Sequence, residues 1–162
     1  MRRLIVVPLL FVLLSLCVAK DKITSQWKCD AKPSEEHGLA VGDKDGHLYN
    51  INQGKCTAEK GDIAGDKQQL GTWTQFDEIM GGNLQDHGIL VVTMASGDKI
   101  LYKYHGSQTT KDGKLTSGSN IWTISGGTGK YVQAKGEGTC KAQPNADGSS
   151  TWNCDGTFGA GK

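Results

Sequence analysis

The chain has 162 residues, 18 of them basic and 17 acidic, for a formal net charge of +1. That balance leaves no basic stripe to hold a phosphate backbone, so no nucleic-acid partner is expected. Twenty-three glycines against three prolines point to many tight turns and close backbone contacts, and no stretch reads as an interdomain linker or a low-complexity tract.

Arg2 and Arg3 open the chain, an almost unbroken apolar run follows from Leu4 to Val18, and Ala19 ends it before Lys20-Asp21-Lys22. This is the order of a secretory signal peptide over residues 1–19, cleaved after Ala19. The run is short for a membrane span, which needs roughly 20 apolar residues. An uncleaved anchor is the main alternative. Lipid attachment at Cys17 is a lesser one, because Leu16 is too large for a good lipobox. No later segment is apolar enough to cross a bilayer. The expectation is a periplasmic or secreted protein, residues 20–162 forming a single domain, with no stable membrane insertion after cleavage. Loss of Arg2 and Arg3 from the 18 basic residues leaves 16 against 17 acidic ones, a net charge near −1.

Beyond the leader, period-2 runs alternate with turn residues and almost no helix is predicted. Ile23 to Cys29 reads as a first strand, followed by a polar excursion through Pro33-Ser34-Glu35-Glu36. Asp43-Lys44-Asp45-Gly46 turns the chain into a strand from His47 to Gln53, and Leu70 to Phe76 makes a third. Leu84 to Ala95 is a fourth, interrupted near Asp86-His87-Gly88, and Ser96-Gly97-Asp98 turns it into Lys99 to Gln108. Lys111-Asp112-Gly113 leads to Leu115 to Ser125, and Gly126-Gly127-Thr128-Gly129 to Tyr131 to Ala142. Pro144-Asn145-Ala146-Asp147-Gly148 leads to a last strand from Ser150 to Phe158. Eight strands joined mainly by hairpins predict an all-β fold, a single eight-stranded antiparallel up-and-down β-barrel. Closure has a physical motive, since an open meander leaves two unpaired edges.

The last hairpin shows how such a wall fills. Val132, Ala134, Gly136, Gly138 and Cys140 share one face, and Trp152, Cys154, Gly156 and Phe158 share one face of the next strand. Glycines facing large aromatics suit a strongly curved sheet. The opposite face, with Gln133, Lys135, Glu137, Asn153 and Asp155, is either the wet exterior or the lining of a polar lumen.

Cys29, Cys56, Cys140 and Cys154 remain after the leader, an even number in an oxidising compartment, so two disulfides are expected. Trp27-Lys28-Cys29-Asp30 is echoed by Trp152-Asn153-Cys154-Asp155, and Gly54-Lys55-Cys56-Thr57-Ala58 by Gly138-Thr139-Cys140-Lys141-Ala142. The simplest use of the echo is one bridge per end, Cys29–Cys56 and Cys140–Cys154. If the two ends are neighbours in a closed sheet, Cys29–Cys154 with Cys56–Cys140 is the alternative. The spacings are not those of a zinc site.

Gly126-Gly127-Thr128-Gly129-Lys130-Tyr131, continuing through Ala134-Lys135-Gly136, resembles the G-G-T-G-[KR]-[FY]-x-x-A-x-G signature of plant dirigent proteins and allene oxide cyclases. Gly97-Asp98 through Tyr104-His105-Gly106-Ser107 resembles a second hairpin of that superfamily more loosely, and the chain is also similar to bacterial secreted proteins with this barrel. The resemblance implies an eight-stranded, lipocalin-like barrel whose lumen accepts small apolar molecules, and homo-oligomers are common in such families. The signature is structural: glycines for positive φ, a threonine for the turn, an aromatic to plug the barrel end. The dirigent family's substrate-contacting acidic and arginine positions have no counterpart here, since Arg2 and Arg3 are the only arginines.

Other chemistry is weaker. The glycine run lacks phosphate-loop spacing and leads into a strand. Asp43-x-Asp45-Gly46 lacks the later ligands of a calcium loop. His37, His47, His87 and His105 share no metal-ligand spacing, so neither metal nor cofactor is expected. The expected role is a binder of a small apolar ligand, with Trp73, Tyr102, Tyr104, Trp122 and Trp152 lining the barrel and Met94 or Met80 as adaptable fillers. The alternative of filling a dry core applies to each of these side chains. A cyclase- or dirigent-like enzyme would need an inward carboxylate or tyrosine, for which Glu137, Glu78 and Tyr102 are the candidates. Glu137 and Asp155 lie on one face of facing strands, where a pair or ordinary exposed charge are the options. A non-catalytic envelope contact role is the third reading, with Asp77 to Gly88 as the contact loop.

Overall fold

The computed structural model describes residues 20–161, so the leader expected over residues 1–19 lies outside the described residues. Nine strands follow in chain order: β1 (Asp21–Cys29), β2 (Glu35–Ala40), β3 (His47–Ile63), β4 (Asp66–Met80), β5 (Asn83–Met94), β6 (Lys99–Lys111), β7 (Lys114–Gly127), β8 (Lys135–Pro144) and β9 (Ser150–Gly159). A single 3-10 turn, Gly129–Tyr131, links β7 to β8. The strands pair antiparallel in the order β1-β9-β8-β7-β6-β5-β4-β3, and β3 returns to β1, which closes an eight-stranded barrel. Among the described residues no helix is long and apolar enough to cross a membrane.

Alternation sets the two faces. In β5, Leu84, Asp86, Leu90, Val92 and Met94 are the more buried positions, and His87 and Ile89 between them are exposed. In β6, Ile100 and Tyr102 point in while Lys99 and Lys103 face solvent. The polar set Gln133, Lys135, Glu137, Asn153 and Asp155 is exposed, which makes it the wet exterior.

Both predicted bridges join residues that sit directly opposite each other on neighbouring strands. Cys29 pairs with Cys56 across β1 and β3, and Cys140 with Cys154 across β8 and β9. The alternative pairing is thereby excluded.

One end of the barrel is sealed. Tyr131, held by the 3-10 turn, enters it at 1 % exposure and packs edge-on against Phe158, with ring centroids 6.2 Å apart. Ile63, Val92, Met94 and Ile100 fill the space around it. The Tyr131 hydroxyl donates to Asp66 Oδ2 at 3.1 Å and lies 3.3 Å from the Ile63 carbonyl. Asp66 also accepts from the Ser96 amide and hydroxyl, at 3.1 and 2.7 Å, and meets Lys130 Nζ at 3.2 Å. These partners hold its carboxyl down at about 2, the Ser96 bond contributing most. Asp21 of β1 and Phe158 of β9 are paired at this same end.

The structure departs from the sequence expectation in several places: β3 and β4 are longer than expected, β5 runs unbroken through Asp86-His87-Gly88, and three further differences bear on the fold. The polar excursion after Cys29 contains β2, which runs on from β1 along the same edge of β3. Asp30 N–H donates to the Lys55 carbonyl at 3.0 Å and Ser34 N–H to the Gln53 carbonyl at 2.7 Å, so the ladder bridges the interruption. All six residues of β2 are exposed, so no alternation marks it. Second, the predicted strand from Tyr131 begins only at Lys135, because Tyr131 turns inward to seal the barrel and leaves Val132 61 % exposed. Third, Asp77 to Gly88 is not a loop. It is the tip of a regular β4–β5 hairpin turned by Gly81 and Gly82, both at positive φ.

Candidate functional site

The opposite end of the barrel is open. Residues Asp30–Pro33, the β6–β7 turn at Asp112–Gly113 and the β8–β9 turn at Asp147–Gly148 ring its mouth, and a cavity of about 600 Å³ runs down from it. That volume is in the range of small-molecule sites, roughly 300–1,000 Å³.

Its walls are aromatic. All four tryptophans, Trp27, Trp73, Trp122 and Trp152, line the cavity together with Tyr102 and Tyr104, and both disulfides add sulfur to the surface. The rings lie flat because their neighbours are glycines. Trp73 lies over Gly54, its partner in β3, where an added Cβ would fall 2.3 Å from the ring. Trp122 lies over Gly138 and Gly156, where added Cβ atoms would fall 2.3 and 2.4 Å from it. Tyr102 meets Trp122 edge-on at 5.4 Å. The indole N–H groups of Trp27 and Trp152 donate to Ser25 and Ser150 two residues away, at 3.0 and 3.2 Å.

Polar side chains interrupt these walls. Gln68 Nε2 donates to the Tyr102 hydroxyl at 3.2 Å, the Tyr104 hydroxyl to Gln75 Oε1 at 2.8 Å, and Gln75 Nε2 to Asp77 Oδ1 at 2.7 Å. Asn52 Nδ2 donates to the other Asp77 oxygen, and Gln108 Nε2 to Asp86 Oδ2 at 2.9 Å. Asp77 and Asp86 are directly opposite each other on β4 and β5, 1 % and 5 % exposed. Burial, reinforced by the Asp86 charge across the ladder, pushes the Asp77 carboxyl up to about 6. Burial likewise raises Asp86, against the pull of Gln108, His105 and His87. It also raises the Tyr102 and Tyr104 hydroxyls, which stay protonated.

Four buried polar atoms of cavity-lining residues have no protein partner: Gln68 Oε1, Asp86 Oδ1, Asn120 Oδ1 and Trp122 Nε1. A buried polar atom left unpaired costs about 1–3 kcal/mol. Three acceptors and one donor of lining residues are therefore left unsatisfied within the cavity wall.

The candidates from the sequence divide by face. Trp73, Tyr102, Tyr104, Trp122 and Trp152 are together on the cavity wall. Met94 is fully buried in the packed end of the barrel and is not among the lining residues; Met80 is 38 % exposed at the tip of the β4–β5 hairpin. Glu137 sits on the exterior, where Lys20 Nζ at 2.8 Å lowers its carboxyl. Glu78 is also on the outer face and meets His47 Nε2 at 3.1 Å. Among the described residues no group of three or more His, Cys, Asp or Glu is arranged to hold a metal ion. The inward carboxylates are instead Asp77 and Asp86. A period-2 count from Trp73 reaches Gln75 and Asp77, and one back from Val92 reaches Leu90, Gly88 and Asp86; these were the available signals.

No family model matches the chain, and no curated protein does. Among solved structures it is similar to the pterocarpan synthase dirigent protein PsPTS1, at 11 % identity and a TM-score of 0.51, covering 89 % of this chain and 97 % of that one. The fold is dirigent-like. At that identity the likeness extends to the barrel alone, and the lumen's chemistry has to be read from its own side chains.

Proposed function

We propose that the protein is exported and holds a small, largely apolar molecule in its barrel. One observation carries this reading: an open cavity of about 600 Å³ walled by four tryptophans and two tyrosines, in a barrel whose other end is packed solid. Flat aromatic walls over glycine bind by area and shape, and a few polar groups then fix orientation. The two disulfides fit an oxidising compartment.

Native mass spectrometry of protein purified from its own host tests the proposal. The expected result is one small organic adduct per chain, absent from a Leu90→Trp variant whose added ring fills the lumen. An adduct-free protein whose tryptophan fluorescence responds to no member of an apolar small-molecule panel would refute it.

A cyclase- or dirigent-like enzyme is the second reading, favoured by the buried Asp77–Asp86 pair beside the lumen. A binder returns its adduct chemically unchanged after incubation, and an enzyme does not.

A further inference from the structure

The polar atoms of the lumen are unevenly matched, and the imbalance identifies the kind of molecule that fits. Three of the four unpartnered atoms, Gln68 Oε1, Asn120 Oδ1 and Asp86 Oδ1, are acceptors. Rotating an amide exchanges oxygen for nitrogen in Gln68 or Asn120, but no rotation turns an ionised Asp86 into a donor. Asp86 is 5 % exposed, and its one side-chain partner is the neutral amide of Gln108. Asp77 stands directly opposite it with amide donors only, from Gln75 and Asn52. The lysines that line the cavity, Lys32 and Lys114, belong to the rim beside Asp30 and Asp112, and no histidine or arginine lines it. Two facing carboxyl groups are thus buried with no lysine or arginine on them, and one of the two, Asp86, lines a pocket walled by indole and phenol rings. Ring faces attract cations, by roughly 0.5–2 kcal/mol per contact.

Building on the lumen-binding reading, we infer that the occupant is an organic cation, an apolar molecule carrying a protonated amine, whose ammonium group donates to Asp86 Oδ1 and whose body lies between the tryptophans. The ammonium supplies the donor that Asp86 Oδ1 lacks. It also supplies the positive charge that the facing carboxyl groups lack. A neutral hydroxyl answers only the first need.

The pH dependence follows from the groups around Asp86. Asp77 on β4 and Glu36 on β2 add negative charge, His87 and His105 on β5 and β6 oppose it, and Tyr104 stays neutral. The cation binds the ionised carboxylates, so affinity rises with pH and falls as the medium is acidified through the raised carboxyl range, near 6 for Asp77.

The test compares 4-phenylbutylamine with its neutral counterpart 4-phenylbutan-1-ol, by calorimetry and by quenching of the lumen tryptophans. At pH 7.5 the amine is expected to bind at least about tenfold more tightly, the scale of one desolvated charge pairing. Asp86→Asn should abolish the preference of the amine over the alcohol, and Asp86→Glu should retain it. If Asp86→Asn fails to fold, loss of the preference in the wild-type protein between pH 7.5 and 5 carries the same information. Equal binding of both probes, or a preference that survives Asp86→Asn, overturns the cation and leaves the lumen reading intact. Binding of neither probe, with a neutral adduct from the host, also overturns the cation alone. Binding of neither probe and no adduct at all overturns both.

Discussion

Two aspartates at opposite ends of one barrel are displaced in opposite directions. At the sealed end Asp66 is almost as buried as Asp86, yet it is surrounded by donors: the Ser96 amide and hydroxyl, the Tyr131 hydroxyl and the Lys130 ammonium. Its carboxyl is held at about 2. At the open end Asp77 faces Asp86 with amides as its only hydrogen-bond donors, and it is pushed up to about 6. Burial is common to both. The donors and charges within reach decide the sign. At one end a buried carboxylate is fully met by donors, and at the other Asp86 keeps an oxygen without a partner.

The largest effect should come from the sealed end. Tyr131→Ala removes the side chain that plugs it, and a loss of about 3–5 kcal/mol is expected from urea unfolding, as for large aromatic truncations. A loss under about 1 kcal/mol would show that the seal contributes little to stability. The two carboxyl groups supply the next contrast. Asp77 binds a proton more tightly folded than unfolded, so its contribution is fully present below pH 4 and is lost as pH rises through about 6, by up to roughly 3 kcal/mol. Asp66 has the reverse sign, its contribution growing as pH rises from about 2 through the ordinary carboxylate range. Thermal melts at pH 7.5 should therefore show Asp77→Asn raising the midpoint and Asp66→Asn lowering it. A shift of the same sign in both would break the comparison.

Smaller effects sharpen the description of the walls. Gly138→Ala pushes a methyl group against both the Asp155 carbonyl and Trp122, for an expected cost of about 1–3 kcal/mol and a shifted tryptophan emission. Unchanged emission would mean that the strand, and not the ring, gives way to the methyl group. Glu137→Gln, on the exterior, should leave the melting midpoint unchanged, because the Lys20 pair is exposed on both sides.

Most of the barrel was legible in the residues because each hairpin declares itself. Asp112 and Gly113, both at positive φ, and Gly97 between β5 and β6 are turn residues with a mechanism, and the alternation between them sets the inner face. The cysteine echo was legible for the same reason, since it placed both halves of each bridge on matching positions. β2 was not, because a strand exposed along its whole length has no periodicity and is held by ladder bonds alone. The second half of β3, from Gly54 to Ile63, was missed because lysine, glutamate and glycine obscure its inward Cys56 and Ala58. Asp77 and Asp86 escaped notice because carboxylates are ordinarily read as exposed, and only the position of their neighbours reveals them as inward. Glu137, which shares a face with Asp155, and Glu78 are the expected inward carboxylates, and both lie outside.

The pairing of Asp21 with Phe158 brings the first and last strands side by side at the plugged pole, remote from the rim. An affinity handle fused ahead of Lys20 or after Gly161 would leave from that pole, so immobilised protein would present its opening to the medium. The same adjacency allows a short peptide to join the two ends and a new start to be cut at the Asp112–Gly113 turn, giving a circular permutant with its strand order around the cylinder unaltered.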